Sequence, residues 1–279
     1  MSWATHELPS ASERLLRGTT YQFARMFLPS RPLTAAPSVL GLRFSCLPGD
    51  DVGRSIYRRG TYEPAMLRVL EQHLRVEKGD IAVDIGANIG WYSCILGKLL
   101  EGRGRVVALE PEPANNGLLR ANVALNGLTN VEPVQCAASD APGSLTLNIY
   151  KSSNRGRHSV LPIHEGRGVE IPAVRVDDLL AERGLDSAPV AFLKIDVEGY
   201  EAPALRGATK ALARCRMALV EWSPAYMRRG GIEPAALADI LFGAGFEVQL
   251  IGAGGSATRV TRDELLATAE QRDLLCLRA

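Results

Sequence analysis

The stretch IAVDIGANIGWYS, Ile81 to Ser93, constrains this chain more than any other. A short apolar run ends in an acid, passes through glycines and becomes an amphipathic run. That is a buried strand turning abruptly into a helix. At the corner, Gly86 turns without a Cβ and lets backbone approach a ligand. Gly90 lets the new helix pack close to the strand. A corner of this kind holds a nucleotide-like ligand, and the alternative is that the glycines only shape a tight turn.

The spacing narrows the ligand. A pyrophosphate cradle needs G-x-G-x-x-G. Here Asn88 takes the second glycine's place and the third glycine comes one residue early, which suits a ligand without a pyrophosphate. The next strand, in VALEPEP, ends in Glu110, and an acid there accepts hydrogen bonds from both hydroxyls of a ribose. A ribose without phosphates describes S-adenosylmethionine, with Asp84 toward its cationic tail and Glu110 on the ribose. The cofactor positions expected on this reading are Asp84, Gly86, Ala87, Asn88, Gly90, Glu110 and Pro111, with Asp196 and Glu63 counted among them. Asp140, after VQCAAS, reaches the adenine amino group or simply starts a turn.

The rest of the chain fits that corner. From Thr61 onward, strand patterns alternate with helical ones: EPAMLRVLEQHLR, DIAVDI, IGWYSCILGKLL, RVVALEP, PANNGLLRANVALNG, VEPVQCAAS, GSLTLNIY, VEIPAVR, VDDLLAERG, VAFLKID, YEAPALRGATKALAR, MALVEWS, PAALADILFGAG, FEVQLIG, TRDELLATAE and RDLLCLRA. Alternation of this kind predicts an α/β fold with a mostly parallel sheet, helices on both faces and the ligand beyond the C-terminal strand ends. The short link between the last two strands favours one antiparallel strand near the edge. Residues 1–60 read as an N-terminal extension, with LPSRPLTAAPSVLG as connector and LGLRFSCLPG as an edge strand or hairpin. Residues 61–279 read as the ligand-binding domain.

A second constellation lies in VAFLKIDVEGYE. Phe192, Lys194, Asp196 and Glu198 share one face of a strand expected to be buried on both. Charges there are costly unless paired or beside a cleft. The next strand, MALVEWS, ends in Glu221, beside Asp196 if the strands are neighbours. Lys194 and Glu198 serve either a structural pairing or the site. Two acids are a thin basis for a cation, and no metal is expected. The loop 151–168 follows a strand and carries His158 and His164. His158 is a candidate general base or a solvated histidine, and Arg155, Arg157 and Arg167 are candidates for an anionic acceptor or plain surface charge. His6 and His73 have weaker claims. Trp91 and Tyr92 line the pocket or belong to the core.

VDIGANIGWYS, ALEPEP, AASD and LKIDVEGYE together resemble the FkbM family of S-adenosylmethionine-dependent methyltransferases. The resemblance runs from about Thr61 to Ala213, and LKIDVEGYE is its specific element. It implies a Rossmann-like, doubly wound, seven-stranded sheet and O-methylation of a hydroxyl on a sugar, glycan, glycolipid or secondary metabolite. It also makes Tyr62 and Glu63 pocket candidates, though helix capping accounts for Glu63 equally well. Asp196 or His158 is then the expected base, with Glu198 and Glu221 orienting the acceptor. The runner-up is an NAD(P)-dependent oxidoreductase, which needs the pyrophosphate turn that is missing here; a third reading is a non-catalytic nucleoside-binding module.

Composition excludes some partners. Lys and Arg number 32 against 31 for Asp and Glu, and aromatics make up 6%, so neither a global field nor a base-stacking surface favours nucleic acid. There is no N/D-P-P-Y element for an exocyclic amine. No apolar run approaches the ~18 residues of a membrane span, and the N-terminus lacks a signal peptide's apolar centre. Five scattered cysteines without a CxxC pair fit reduced thiols. The expectation is a cytoplasmic protein, with a homodimer possible.

Overall fold

The computed structural model describes residues 10–29, 31–35, 38–150, 158–163 and 167–278. In chain order it begins with helix α1 (Ala11–Phe27), a short pairing of β1 (Leu33–Thr34) with β2 (Ser45–Cys46), and helices α2 (Asp51–Arg59) and α3 (Pro64–His73). Next come β3 (Ile81–Ile85), α4 (Trp91–Leu99), β4 (Arg105–Leu109), α5 (Pro113–Leu125) and β5 (Val131–Val134). Strands β6 (Ala137–Ala138), β7 (Gly143–Asn148) and β8 (Gly168–Val174) form a separate small sheet. Then follow α6 (Val176–Glu182), β9 (Val190–Ile195), α7 (Glu201–Arg206), α8 (Thr209–Ala213), β10 (Cys215–Trp222), α9 (Pro224–Arg229) and α10 (Pro234–Gly243). The chain closes with β11 (Phe246–Ile251), β12 (Ala257–Arg259), α11 (Arg262–Ala267) and β13 (Arg272–Arg278).

The main sheet has the order β12-β11-β13-β10-β9-β3-β4-β5. From β10 to β5 every neighbouring pair is parallel. The last strand, β13, is antiparallel to both β10 and β11, between which it inserts. This is the expected seven-stranded, mostly parallel sheet with one reversed strand, extended at its edge by a three-residue eighth strand, β12, antiparallel to β11. One expected strand divides. Val131–Val134 of VEPVQCAAS joins the main sheet, where Pro133, lacking an N–H, is tolerated because β5 is an edge. Ala137–Ala138 instead pairs with β8.

All six residues of β9 are buried, as a central strand covered on both faces requires. On one face, Ala82, Phe192 and Leu219 pack with Leu67, Leu70, Ile95 and Leu96. Phe44, Cys46, Val52 and Ile56 from the first 60 residues belong to this same apolar cluster. On the other face, Val83, Ile85, Leu193 and Val220 pack with Leu180, Leu205, Leu237 and Leu241. All five cysteines are buried and free. At the N-terminal strand ends, buried Asp80 accepts two hydrogen bonds from the Arg216 guanidinium and one from the Glu77 backbone N–H. Strand order reverses between β3 and β9, so a crevice opens beyond their opposite, C-terminal ends.

Candidate active site

A cavity of about 450 Å3 occupies that crevice. Its first wall is the corner after β3. Gly86 has φ +81, and a Cβ there would lie 1.9 Å from the Asp196 carbonyl oxygen. Gly90 has φ +88, and its Cβ would lie 2.6 Å from Leu119 Cδ1. The strand-to-helix turn therefore needs glycine at both places, once to let the β9 loop approach and once to seat α5. The Gly86 and Ala87 N–H groups both donate to the Leu109 carbonyl at 3.0 Å, which ties the turn to the end of β4.

Glu110 follows directly. The Asn88 N–H donates to its Oε2 at 2.8 Å and the Glu112 N–H to its Oε1 at 2.9 Å. Burial pushes its carboxyl up to about 7, opposed by those two backbone donors. Asp84 is deeper, 1% exposed. The Ser93 hydroxyl donates to its Oδ2 at 2.6 Å. Its Oδ1 is buried and meets no donor among the described residues, and neither does Asn88 Oδ1. Burial raises Asp84 as well, with Lys194 and Ser93 opposing. This wall thus combines a backbone cradle that a methyl would fill, a carboxylate at the cavity and two orphaned acceptors. It fits a ligand rich in hydroxyl and amino donors, as an adenosine bearing an amino-acid tail is.

The opposite wall is acidic. Lys194, on β9, donates to Asp196 Oδ2 at 2.9 Å, with its ammonium 4.9 Å from the centre of the Tyr92 ring. Burial works against the ammonium, but Asp196, Glu63 and Asp84 outweigh it and raise the pKa of Lys194. Asp196, Glu198 and Glu221 each bring one carboxylate oxygen within 4.8 Å of the others. That spacing suits the oxygen shell of a hard cation and equally a ring of acceptors for hydroxyl groups. Glu221 accepts a short hydrogen bond from the Gln271 side chain. Its pKa is pushed well up, first by burial and then by Asp196, Glu198 and Glu201. Glu201, fully buried, organises the loop: the Val197 and Gly199 N–H groups both donate to its Oε1 at 3.1 Å.

Four non-glycine residues among those described have positive φ: Leu40, Glu63, Asn88 and Glu198. The last three line the cavity. Each left-handed residue costs on the order of 1 kcal/mol or more, and such strain concentrates at functional sites. Glu63 precedes α3 without capping it through its side chain; instead Glu63 Oε2 accepts from the Tyr92 hydroxyl at 2.5 Å.

Of the residues singled out from sequence, Glu63, Gly86, Ala87, Asn88, Glu110, Pro111, His158, Lys194, Asp196, Glu198 and Glu221 line the cavity, as do Tyr62, Trp91 and Tyr92. Asp84 and Gly90 stand behind its wall. Asp140 is not among the lining residues: its carboxylate pairs with Arg206 at 3.1 Å and its carbonyl accepts from Arg175. Ala137 and Ala138 take the wall on that side. His158 Nδ1 accepts from the Tyr150 N–H at 2.9 Å, which puts the neutral ring's proton on Nε2. Arg167 is exposed and is not part of the wall. His6, Arg155, Arg157 and His164 lie outside the described residues.

Sequence reading misses Asp273, Gln271 and Tyr200, which also line the cavity. Asp273 pairs in register with Glu221. Its carboxyl is pushed up to about 7 by burial, then by Glu63 and Asp196, with Lys194 opposing. It reaches the site because β13 runs backwards: the first residues of a reversed strand lie where parallel neighbours end. The signal is the polar start of RDLLCLRA, which acquires meaning only once that reversal is known.

Fold and cavity together define an α/β protein with a glycine corner ending at Glu110 and an acidic mouth at the switch point of its sheet. A family model described as Methyltransferase FkbM domain matches residues 84–248, and the chain belongs to that family. It is 26% identical over 233 residues to the hexuronic acid methyltransferase AglP of Haloferax volcanii, covering 84% of this chain and 86% of that protein. It is 30% identical over 229 residues to the 31-O-demethyl-FK506 methyltransferase FkbM of Streptomyces tacrolimicus, covering 67% and 85%. A crystal structure of a methyltransferase FkbM from Methylobacillus flagellatus KT aligns with TM-score 0.43 and 17% identity, over 81% of this chain and 55% of that one. Among the described residues, no helix is long and apolar enough to cross a membrane.

Proposed function

We propose that this protein transfers a methyl group from S-adenosylmethionine to a hydroxyl of a sugar, glycan, glycolipid or secondary metabolite. The observation that carries the reading is that one cavity joins two differently built ends: the Glu110 corner and the Asp196–Glu198–Glu221 cluster. Two relatives support the acceptor class, since one is named for a hexuronic acid and the other for an O-demethylated metabolite.

The cofactor, when bound, supplies a methyl already activated by a sulfonium leaving group. The protein's contribution is alignment and proton removal. Glu110, already holding two backbone N–H donors, would accept from the ribose hydroxyls. Asn88, at the wall, would take a donor of the tail, with the Asp84 carboxyl close behind it. On the acceptor side, Glu198 and Glu221 hold neighbouring hydroxyls of the substrate. Asp196 takes the proton, steadied through its second oxygen by Lys194. A carboxylate is a sufficient base, because the hydroxyl proton becomes strongly acidic as the oxygen shares its electron pair. His158, with its proton on Nε2, donates to the acceptor rather than acting as base.

Two measurements test this. S-adenosylhomocysteine should raise the melting temperature while NAD(P) does not. Mass spectrometry of glycans and metabolites exposed to the active protein should show a gain of one methyl. Stabilisation by NAD(P) alone, or cofactor binding with no methylated product from any hydroxylated acceptor, defeats the proposal.

A further inference from the structure

Helix α1 is built inside out. It is 17 residues long and begins with a capping box between Ser10 and Glu13, yet it buries only Gly18, Tyr21 and Ala24. That narrow stripe rests on α2, with Gly18 against the Arg58 guanidinium and the Tyr21 hydroxyl donating to the Asp50 carbonyl. Seven large apolar residues are exposed among those described, and six of them are Leu15, Leu16, Phe23, Met26, Phe27 and Leu28. At about 100° per residue, the five within the helix fall in one arc of roughly 120° centred opposite the docked stripe. The Phe23 and Phe27 rings lie 4.7 Å apart in the C-terminal half of this ridge. Isolated exposed apolar side chains need no explanation, whereas a contiguous ridge of them marks an interaction surface.

The charges say what covers it. Between residues 10 and 31 there are four arginines, Arg14, Arg17, Arg25 and Arg31, against one acid, Glu13. That is a local charge of +3 in a chain whose total is +1. Arg58 and Arg59, exposed in the last turn of α2, extend the cationic zone beside the helix. The apolar ridge is convex and offers no groove, so it suits a phase that deforms around it better than a rigid partner needing a matched cleft. From the geometry we infer that α1 lies in the interfacial plane of an anionic lipid bilayer, its Leu, Phe and Met side chains among the acyl chains and its arginines drawn to the headgroups. Amphipathic helices with a basic polar side bind in this way, through buried apolar area plus electrostatic attraction. The arginines on the far side of a helix about 10 Å across still lie within roughly one Debye length of the surface. Since α2 also supplies Asp51 and Val52 to the cavity, one element links the docking ridge to the site. The inference stands on α1 itself and holds whatever reaction the cavity carries out.

Co-sedimentation of the full chain with vesicles tests it. The chain should pellet with phosphatidylcholine vesicles containing phosphatidylglycerol and much less with phosphatidylcholine alone, and added salt should weaken the binding. Phe23→Glu with Phe27→Glu should cut binding at least about tenfold, since both rings lose their burial among the acyl chains. Arg14→Glu with Arg25→Glu should cut it on the anionic vesicles only. Neither pair should change the melting temperature. Equal pelleting with both vesicle types, or none with either, overturns the inference. So does a wild-type dimer in sedimentation velocity that Phe23→Glu with Phe27→Glu converts to monomer, because a second copy would then cover the ridge.

Discussion

Asp80 and Asp84 flank the same strand, one just before β3 and one near its end, and each is 1% exposed. Their surroundings differ completely. Asp80 receives three hydrogen bonds, two of them from the Arg216 guanidinium. Asp177, another buried acid away from the cavity, accepts from Thr209, Lys210 and Ala211. At the other end of the sheet, Asp84 keeps an orphaned oxygen, and Glu110, Glu221 and Asp273 are all raised by burial or mutual repulsion. A buried acid satisfied by the protein holds the fold together, whereas one left for a ligand to satisfy costs stability and serves the site.

The sharpest way to break this distinction is Asp196→Asn. We expect kcat to fall roughly 10^2 to 10^4-fold, the range a positioned base supplies. S-adenosylhomocysteine affinity should hardly move, whereas the melting temperature should fall, because buried Lys194 loses its counter-charge, so kcat is compared on folded protein. A full-rate Asp196→Asn enzyme would remove Asp196 from the chemistry and leave the acidic mouth as scaffold. The converse change is Asp80→Ala. It should cost about 2–3 kcal/mol in urea unfolding, the worth of hydrogen bonds to a charged group. Arg216, its side chain 36% exposed, can turn to water and so limits the loss. Cofactor affinity of the folded fraction should not change. If instead Asp80→Ala weakens cofactor binding and spares stability, pairing fails as a guide to role.

The same contrast explains what could be read from the sequence. The glycine corner is nearly continuous along the chain: Asp84, Gly86, Asn88 and Gly90 fall in seven residues, and Glu110 ends the next parallel strand. Spacing alone therefore exposes it. The acidic end gathers Glu63 before α3, His158 from a loop, Asp196 and Glu198 after β9, Glu221 from β10 and Asp273 from β13. Lys194, Asp196 and Glu198 were legible because charge is costly on a central strand. Asp273 was not, because it depends on a strand reversal that no local pattern records. Asp140 shows the opposite limit: it ends a strand as a cofactor contact would, yet it does not line the cavity and its carboxylate pairs with Arg206. The inverted face of α1 was hidden for a related reason. Periodicity reveals an apolar stripe but not whether it faces the core or the solvent.

The smallest expected effect bears on Glu110 alone. A glutamate ordinarily titrates near 4.5, and burial moves Glu110 to about 7. Between those values the folded protein keeps a proton that the unfolded chain has lost. Glu110 therefore favours folding below the lower value and loses that contribution as pH rises through about 7. Ligand binding has the opposite sign, because ribose hydroxyls donate to the carboxylate and not to the acid. Affinity for S-adenosylhomocysteine should rise roughly tenfold between about pH 6 and about pH 8, with proton release on binding near the lower value. Calorimetry in buffers of different ionisation enthalpy measures both. Asp273 is raised to about 7 as well, so two variants separate the acids. Glu110→Gln should flatten the profile and Asp273→Asn should leave it intact. The reverse result would put the titrating group at the acidic end and leave Glu110 a satisfied structural acid, on the same side of the comparison as Asp80.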